Sequence, residues 1–247
     1  MPVTPDIPDT EAAIISMTNE FRLENKLAPV TPNALLTAAA RAYARKLGSH
    51  KDLPHLLDGT TPATRAAKAG YAYCQIGENL AVAYGSRGFT ADGYAKLAVE
   101  GWEHSPGHRH NLLLPYVTET GVAVDRAGPD DPRYIAVQLF ARPRAMNIEF
   151  MIKNTTGDAV PYTLAGQQHS AEARATITLT ACMPRELTFS TDVRTGARGH
   201  YETRNGQLYT LKPAPAGGVI VELTEAAPVA DPEHLDAADP PPWTSGP

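Results

Sequence analysis

Apolar residues recur at helical spacing through the first hundred positions, and beyond them the pattern shifts to alternation and short runs. Ile14, Ile15, Met17, Thr18 and Phe21 set a helix over residues 11–26, with Thr10 placed to cap it and residues 1–10, rich in Pro, Asp and Thr, read as an extended arm. Thr31-Pro32 repeats a cap-plus-proline start, and Leu35, Leu36, Ala39, Tyr43 and Leu47 give residues 33–47 one apolar face that Gly48 ends. Residues 50–59 read as a loop. Thr61-Pro62 opens a short helix through residue 69, stopped by Gly70. Residues 75–83 alternate as a strand does, with Glu78, Leu80 and Val82 on one side and Asn79, Ala81 and Ala83 on the other. Tyr94, Leu97, Ala98 and Trp102 line one side of a helix over 90–103, and residues 120–124 and 134–140 read as strands around the turn-rich 125–133.

After Pro143 the runs become short and β-like, at 147–153, 159–164, 173–181 and 186–190. Asn205-Gly206 is a hairpin signal, and Gly217-Gly218 leads into a strand over 219–223. Helices first and strands after them predict an α+β layered domain rather than a doubly wound one, followed by a small all-β domain of sandwich type. The expected division is an arm at 1–10, a layered domain at 11–144, the β domain at 145–224 and an acidic, proline-rich disordered tail at 225–247.

Composition narrows the function classes. The chain has 247 residues, 43% of them hydrophobic and 20% charged, as in an ordinary globular protein. A net charge of -5 without a dense basic run argues against nucleic acid as a partner. No apolar run is long enough to cross a bilayer, and the first residues lack the charged and apolar regions of a signal peptide. Cys74 and Cys182 are too few for a disulfide framework and lack zinc-ribbon spacing; one bridge between the two halves and two buried thiols both stay open.

The chemistry concentrates in Gly101-Trp102-Glu103-His104-Ser105-Pro106-Gly107-His108-Arg109-His110-Asn111-Leu112-Leu113. Ser105 suits an N-cap and Pro106 the first helical position. His108 then falls in the first turn, where the helix dipole favours the neutral ring that binds metal or accepts a proton. His104, Arg109 and His110 fall on other faces of that helix and read as surface groups, Trp102 reads as core, and Asn111 is placed to satisfy a loop backbone or a ligand. Upstream, Gly77-Glu78-Asn79-Leu80-Ala81 offers a carboxylate that could face His108, and a structural hydrogen bond from His108 to Glu78 is the plainest reason for the pairing. A Ser-His-Asp hydrolase finds no Gly-x-Ser-x-Gly elbow, and phosphate-loop and dinucleotide motifs are missing.

In order along the chain, Met17-Thr18-Asn19-Glu20-Phe21-Arg22, His55-Leu56-Leu57-Asp58-Gly59-Thr60-Thr61-Pro62, Ala69-Gly70-Tyr71, the Gly77–Ala81 motif, the Trp102–Leu113 segment and Thr118-Glu119-Thr120-Gly121-Val122-Ala123-Val124 make residues 11–140 resemble the CAP superfamily. That superfamily groups cysteine-rich secretory proteins, antigen 5 and pathogenesis-related proteins; Ser-Pro-Gly-His-Arg-x-Asn is the form of its bacterial SCP-like branch. The resemblance implies an α-β-α sandwich, export to a secreted or periplasmic location, and a central cleft lined by two histidines and one or two glutamates that in several members hold a divalent metal such as zinc. Carried over by motif, the cleft residues are His55, Glu78, Ser105, His108 and Asn111, with His55 and His108 as the metal ligands and His50 as a rival for His55. Ser105 stands where animal and plant relatives carry the second glutamate, so the four-residue set is incomplete. The resemblance also implies lipid, sterol, glycan or peptide ligands. A binding or effector module with a β accessory domain is therefore the favoured reading, and a zinc-dependent hydrolase using His55, Glu78 and His108 is the alternative.

Overall fold

Strands β3 (Glu119–Arg126) and β4 (Arg133–Pro143) form the middle of a four-stranded sheet, flanked by the short β1 (Thr31–Pro32) beside β3 and by the long β2 (Tyr73–Tyr84) beside β4. The structure is a computed structural model and describes residues 3–128, 131–192, 197–215 and 217–225. β1 runs parallel to β3 and the remaining pairs are antiparallel. Side chains on β3 and β4 alternate between two cores, as the two-residue period of a strand requires. Val122, Val124, Tyr134, Ala136 and Phe140 face α1 (Ile7–Glu24), α4 (Ala91–Glu103) and α5 (Pro106–Leu112). Ala123, Ile135, Val137, Leu139 and Ala141 face α2 (Ala34–Leu47) and α3 (Pro62–Lys68). The result is an α-β-α sandwich, with both faces of the sheet covered.

The helix starts differ from the reading of the sequence in two places. Residues 7–10 are helical rather than part of an extended arm: Asp6 is the cap, accepting the Asp9 N–H at 2.9 Å, while the Thr10 hydroxyl turns back to the Asp6 carbonyl. Thr31-Pro32 pairs with β3, and the cap of α2 is Asn33, whose Oδ1 accepts the Leu35 and Leu36 N–H groups. The apolar stripes of α2 and α4 are each one residue narrower than the spacing predicts, since Leu35 and Leu97 stand 44% and 47% exposed. Arg22, by contrast, is fully buried, its guanidinium donating to the carbonyls of Ala28, Leu112 and Leu114 at 2.7–3.0 Å. Neither cysteine is a free thiol.

The chain divides into two units between Asn147 and Ile148. The second consists of two four-stranded sheets sharing one core of Phe150, Ile152, Tyr162, Leu187, Phe189, Tyr209 and Leu211. One sheet has β6 (Val160–Leu164), β7 (Gln167–Ala171), β9 (Glu186–Asp192) and β10 (Ala197–Glu202); the other has β5 (Ile148–Asn154), β8 (Thr176–Ala181), β11 (Gln207–Pro213) and β12 (Val219–Glu225). Asn205-Gly206 does not close a hairpin. It carries the chain from β10 in one sheet to β11 in the other, which pairs in parallel with β5. The tight hairpin in this unit lies at Ala165-Gly166, both at positive φ, between β6 and β7. Residues 226–247, read as a disordered tail, lie outside the described residues.

One close approach fixes how α2 meets the sheet. A Cβ at Gly121 would sit 2.2 Å from the backbone carbon of Leu36, so only hydrogen fits there. Gly121→Ala should therefore cost about 3 kcal/mol of unfolding free energy, the upper range for overpacking. Urea denaturation of the variant checks this, and a change under about 0.5 kcal/mol would mean that α2 yields easily.

Candidate functional site

β2 is an edge strand, so alternate carbonyls along it turn away from β4 and need other donors. Around Glu78 those donors are side chains. Asn111 of α5 gives its amide to the Glu78 carbonyl at 2.9 Å and to Asn79 Oδ1 at 3.0 Å, and the Trp102 indole donates to the Leu80 carbonyl at 2.9 Å. Asn79 in turn donates to the His108 carbonyl at 3.1 Å. These bonds lash α5, and with it His108, to the edge of the sheet. Gly77 leaves room for this packing, since a Cβ there would meet Leu114 at 3.0 Å and Asn111 at 3.2 Å.

The alternation expected for β2 puts the side chains of Glu78 and Asn79 on opposite faces. Asn79 joins the α5 side, and Glu78 joins the α2–α3 side, where its side chain is 1% exposed. One carboxylate oxygen lies 2.8 Å from His55 Nδ1, and the other accepts from Arg65 Nη2 at 2.5 Å. Arg65 is the residue that reading the sequence missed. It sits on α3, 9% exposed, with its guanidinium 3.4 Å from the centre of the Tyr43 ring. Arg65 also donates to the carbonyls of His55 at 3.2 Å and Thr60 at 3.0 Å, while the Tyr43 hydroxyl donates to the Pro54 carbonyl. The loop that carries His55 is thus held from beneath by two side chains. Only the cation-rich, acid-free sequence of α3 beside a strand glutamate hinted at this pairing.

Glu78 links to His55 and not to His108, which corrects the pairing expected from the motifs. The reason is topological: His108 approaches the edge from the α5 side and Glu78 leaves it on the other. The two imidazoles still come together, with ring centres 6.3 Å apart and planes at 54°. Since a carboxylate accepts only, the proton of the His55–Glu78 bond resides on Nδ1, and the neutral His55 ring keeps Nε2 as an open acceptor. The His55 side chain is 51% exposed. Burial holds the His108 imidazole below its ordinary pKa, and the His55 ring adds to this.

Ser105 occupies the N-cap position of α5, and its carbonyl accepts the Arg109 N–H at 2.7 Å, but its hydroxyl makes no capping bond. No described hydrogen bond joins Ser105 to His55, Glu78 or His108. His104, Arg109 and His110 are exposed, Arg109 lying 4.8 Å from the centre of the Phe21 ring. His50 lies apart from the cleft, its carbonyl accepting from Arg133 at 2.9 Å, so the histidine brought to Glu78 is His55.

The residues present do not fit the three-ligand zinc centre of a hydrolase. Zinc about 2.1 Å from a ring nitrogen lies roughly 3.2 Å from the ring centre, so two rings 6.3 Å apart share an ion only at full stretch. Glu78 could become a ligand only by giving up Arg65 or His55. Among the described residues no three of His, Cys, Asp and Glu converge as metal ligands.

This architecture has known counterparts. The structure of an outer surface protein from Borrelia burgdorferi superposes with a TM-score of 0.50 at 25% identity, covering 58% of this chain and all of that one. An extracellular protein with an SCP domain from Bacillus anthracis is 26% identical over 57% of this chain and 45% of its own, with a TM-score of 0.46. The uncharacterized membrane protein YlbC of Bacillus subtilis is 30% identical over 118 residues, 47% of this chain, which spans about a third (32%) of that protein. No described helix here is long and apolar enough to cross a membrane. The cysteine-rich secretory protein family matches residues 15–140, half of the chain and nearly all of the layered unit, and the chain belongs to that CAP family.

Proposed function

We propose that the layered unit is a binding module of the cell exterior whose recognition surface is the cleft at the β2 edge, with His55 and His108 as its polar contacts. The observation that carries this reading is the full engagement of Glu78. With one oxygen on His55 and the other on Arg65, its carboxylate orients His55 and is not free as a base or a ligand. What the cleft offers a partner is the outer nitrogen of His55 and the His108 ring, a set suited to hydrogen-bonding a small ligand, a lipid headgroup, a glycan or a peptide. An exterior location is supported by family membership and by the likeness to an outer surface protein. The β unit would serve as the attachment to a partner or surface.

A panel of lipids, glycans and peptides tested against the full chain and against His55→Ala and His108→Ala examines the reading. Binding that weakens about tenfold in both variants is expected, the loss of roughly one charge-neutral hydrogen bond each. A ligand bound equally by both variants would move recognition away from the cleft. The hydrolase alternative has its own test. Protein purified without chelator should hold well under one equivalent of zinc, and a full equivalent lost on His108→Ala would replace the binding reading with a metal centre.

Two further outcomes follow from the buried charges. Arg65→Met should cost about 3 kcal/mol by leaving the Glu78 carboxylate buried without its cation, and Arg65→Met with Glu78→Met should recover most of that loss. Chemical denaturation of the single and double variants checks both. For His108, the native ring is a weaker base than the unfolded one, so the unfolded chain takes the proton first. Stability is unaffected above about pH 6.5 and falls as the pH drops from there toward the lowered native value. Melting midpoints should show a shallower acid slope for His108→Gln than for the native protein; equal slopes would contradict the assignment.

A further inference from the structure

Edge strands are usually guarded by charge, by proline or by a bulge, because their outer backbone groups can pair with another chain. In the β unit the edges are β10 and β7 of one sheet and β12 and β8 of the other. β12 carries Glu222 and Glu225, and β10 carries Glu202 and a register shift at Ala197/Arg198. β7 is uncharged but lacks the β-branched residues that favour pairing. β8 has no guard. It reads Thr176-Ile177-Thr178-Leu179-Thr180-Ala181, without charge or proline, and pairs with β5 in unbroken register from Lys153↔Thr176 to Ile148↔Ala181.

The same register decides where the spare backbone groups of β8 point. Asn154, at the end of β5, donates its N–H to the Ala175 carbonyl at 2.8 Å. Hydrogen-bonded and non-hydrogen-bonded pairs alternate along an antiparallel ladder, so Ile177, Leu179 and Ala181 are the residues bonded to β5. The N–H and C=O groups of Thr176, Thr178 and Thr180 therefore point away from the sheet, and no described hydrogen bond meets them. The side chains of these threonines are exposed, while Ile177, Leu179 and Ala181 pack against the core.

We propose that β8 pairs antiparallel with β8 of a second copy of this chain, about a two-fold axis at Thr178, joining the two sheets into one. Thr176 faces the partner's Thr180, and Thr178 faces the partner's Thr178. Each of the three facing pairs exchanges two backbone bonds, about six in all. Thr–Thr pairs are favourable across strands, and Ile177 continues the apolar side beside the partner's Leu179. A two-fold axis normal to the sheet keeps both threonine faces on one side; parallel pairing about an axis along the strands would invert one of them.

Charge favours this second copy and this register. On the exposed face Glu149 of β5 lies beside Thr180, and Lys153 lies beside Thr176. Across the axis one row runs Glu149, Thr180, the partner's Thr176, the partner's Lys153, so each row ends in opposite charges and no like charges are opposed. The two charges stand three strand spacings apart, about 14 Å, and so bias the register without holding the pair. The contact is isologous and small, which gives a weak dimer seen at high concentration. No residue of the cleft lies in β8, so the proposal does not rest on the function proposed above.

Sedimentation velocity of the full chain over a wide concentration range tests this. A reversible monomer–dimer equilibrium is expected. Thr178→Lys should weaken association at least about tenfold by placing a charge on the axis. Thr178→Pro should do the same, since it removes an outward N–H and no bond to β5; melting midpoints near the native value show that each variant is folded, and either one suffices. Thr178→Val should keep the dimer. Neither native cysteine is a free thiol, so Thr178→Cys adds one reactive thiol at the axis. Mild oxidation should link it into dimers under conditions that leave Glu222→Cys, on the far edge of the sheet, unlinked. The proposal is overturned by a chain that stays monomeric throughout, by folded Thr178→Lys or Thr178→Pro protein that dimerises as the native chain does, or by equal linking of the two cysteine variants. Open-ended growth beyond the dimer would also overturn it, as the sign of head-to-tail pairing between β8 and β12.

Discussion

A sheet that ends must do something with the backbone groups along its last strand. In the CAP unit of this protein the last strand is β2, and side chains meet its outward carbonyls where the family motif falls: Asn111 takes that of Glu78, and Trp102 takes that of Leu80. The rest of the site depends on this covering. It draws α5 against the edge from one side, while the other side is left to the loop before α3, and His55 and His108 meet because each rides on one of the two. Each such bond contributes only about 1 kcal/mol when made, but a buried carbonyl left without its donor costs about as much again or more, so α5 has one favourable position.

Two arginines finish the frame in different ways. Arg22 is buried without a carboxylate among the described residues, its charge spread over backbone carbonyls at the end of α5 and the loop after it, so it anchors the end of the helix opposite to the one His108 occupies. Arg65 is buried with a carboxylate and through Glu78 decides which nitrogen of His55 carries the proton. The first holds position, and the second sets a tautomer.

Much of the fold was readable from periodicity alone. The helix faces were marked by Ile14, Leu36, Tyr43, Tyr94 and Trp102, and the opposite facing of Glu78 and Asn79 followed from the period of a strand. Helix starts were less legible because Thr10 and Thr31 look as good as caps as Asp6 and Asn33, and only the accepted N–H groups distinguish them. In the β unit, Asn205-Gly206 carries the local chemistry of a hairpin, but the strands on either side belong to different sheets, a fact of tertiary pairing that no dipeptide encodes. Within the site, the motifs identified the residues and not their partners. Thirteen residues separate Arg65 from Glu78 and 23 separate His55 from it, and which of two histidines a strand side chain meets is decided by the face on which it leaves the sheet.

The occupied edge of β2 also bears on the kind of guest the proposed binding cleft would receive. Extended peptides often dock by lying alongside an edge and borrowing its backbone, a mode that tolerates many sequences because it reads main chain rather than side chains. At Glu78 and Leu80 that opportunity is already used by the protein's own Asn111 and Trp102. Under the binding reading proposed above, recognition would work through two aromatic nitrogens and the contour around them, which would make it selective for shape and for hydrogen-bonding groups, and indifferent to whether the guest has a peptide backbone at all.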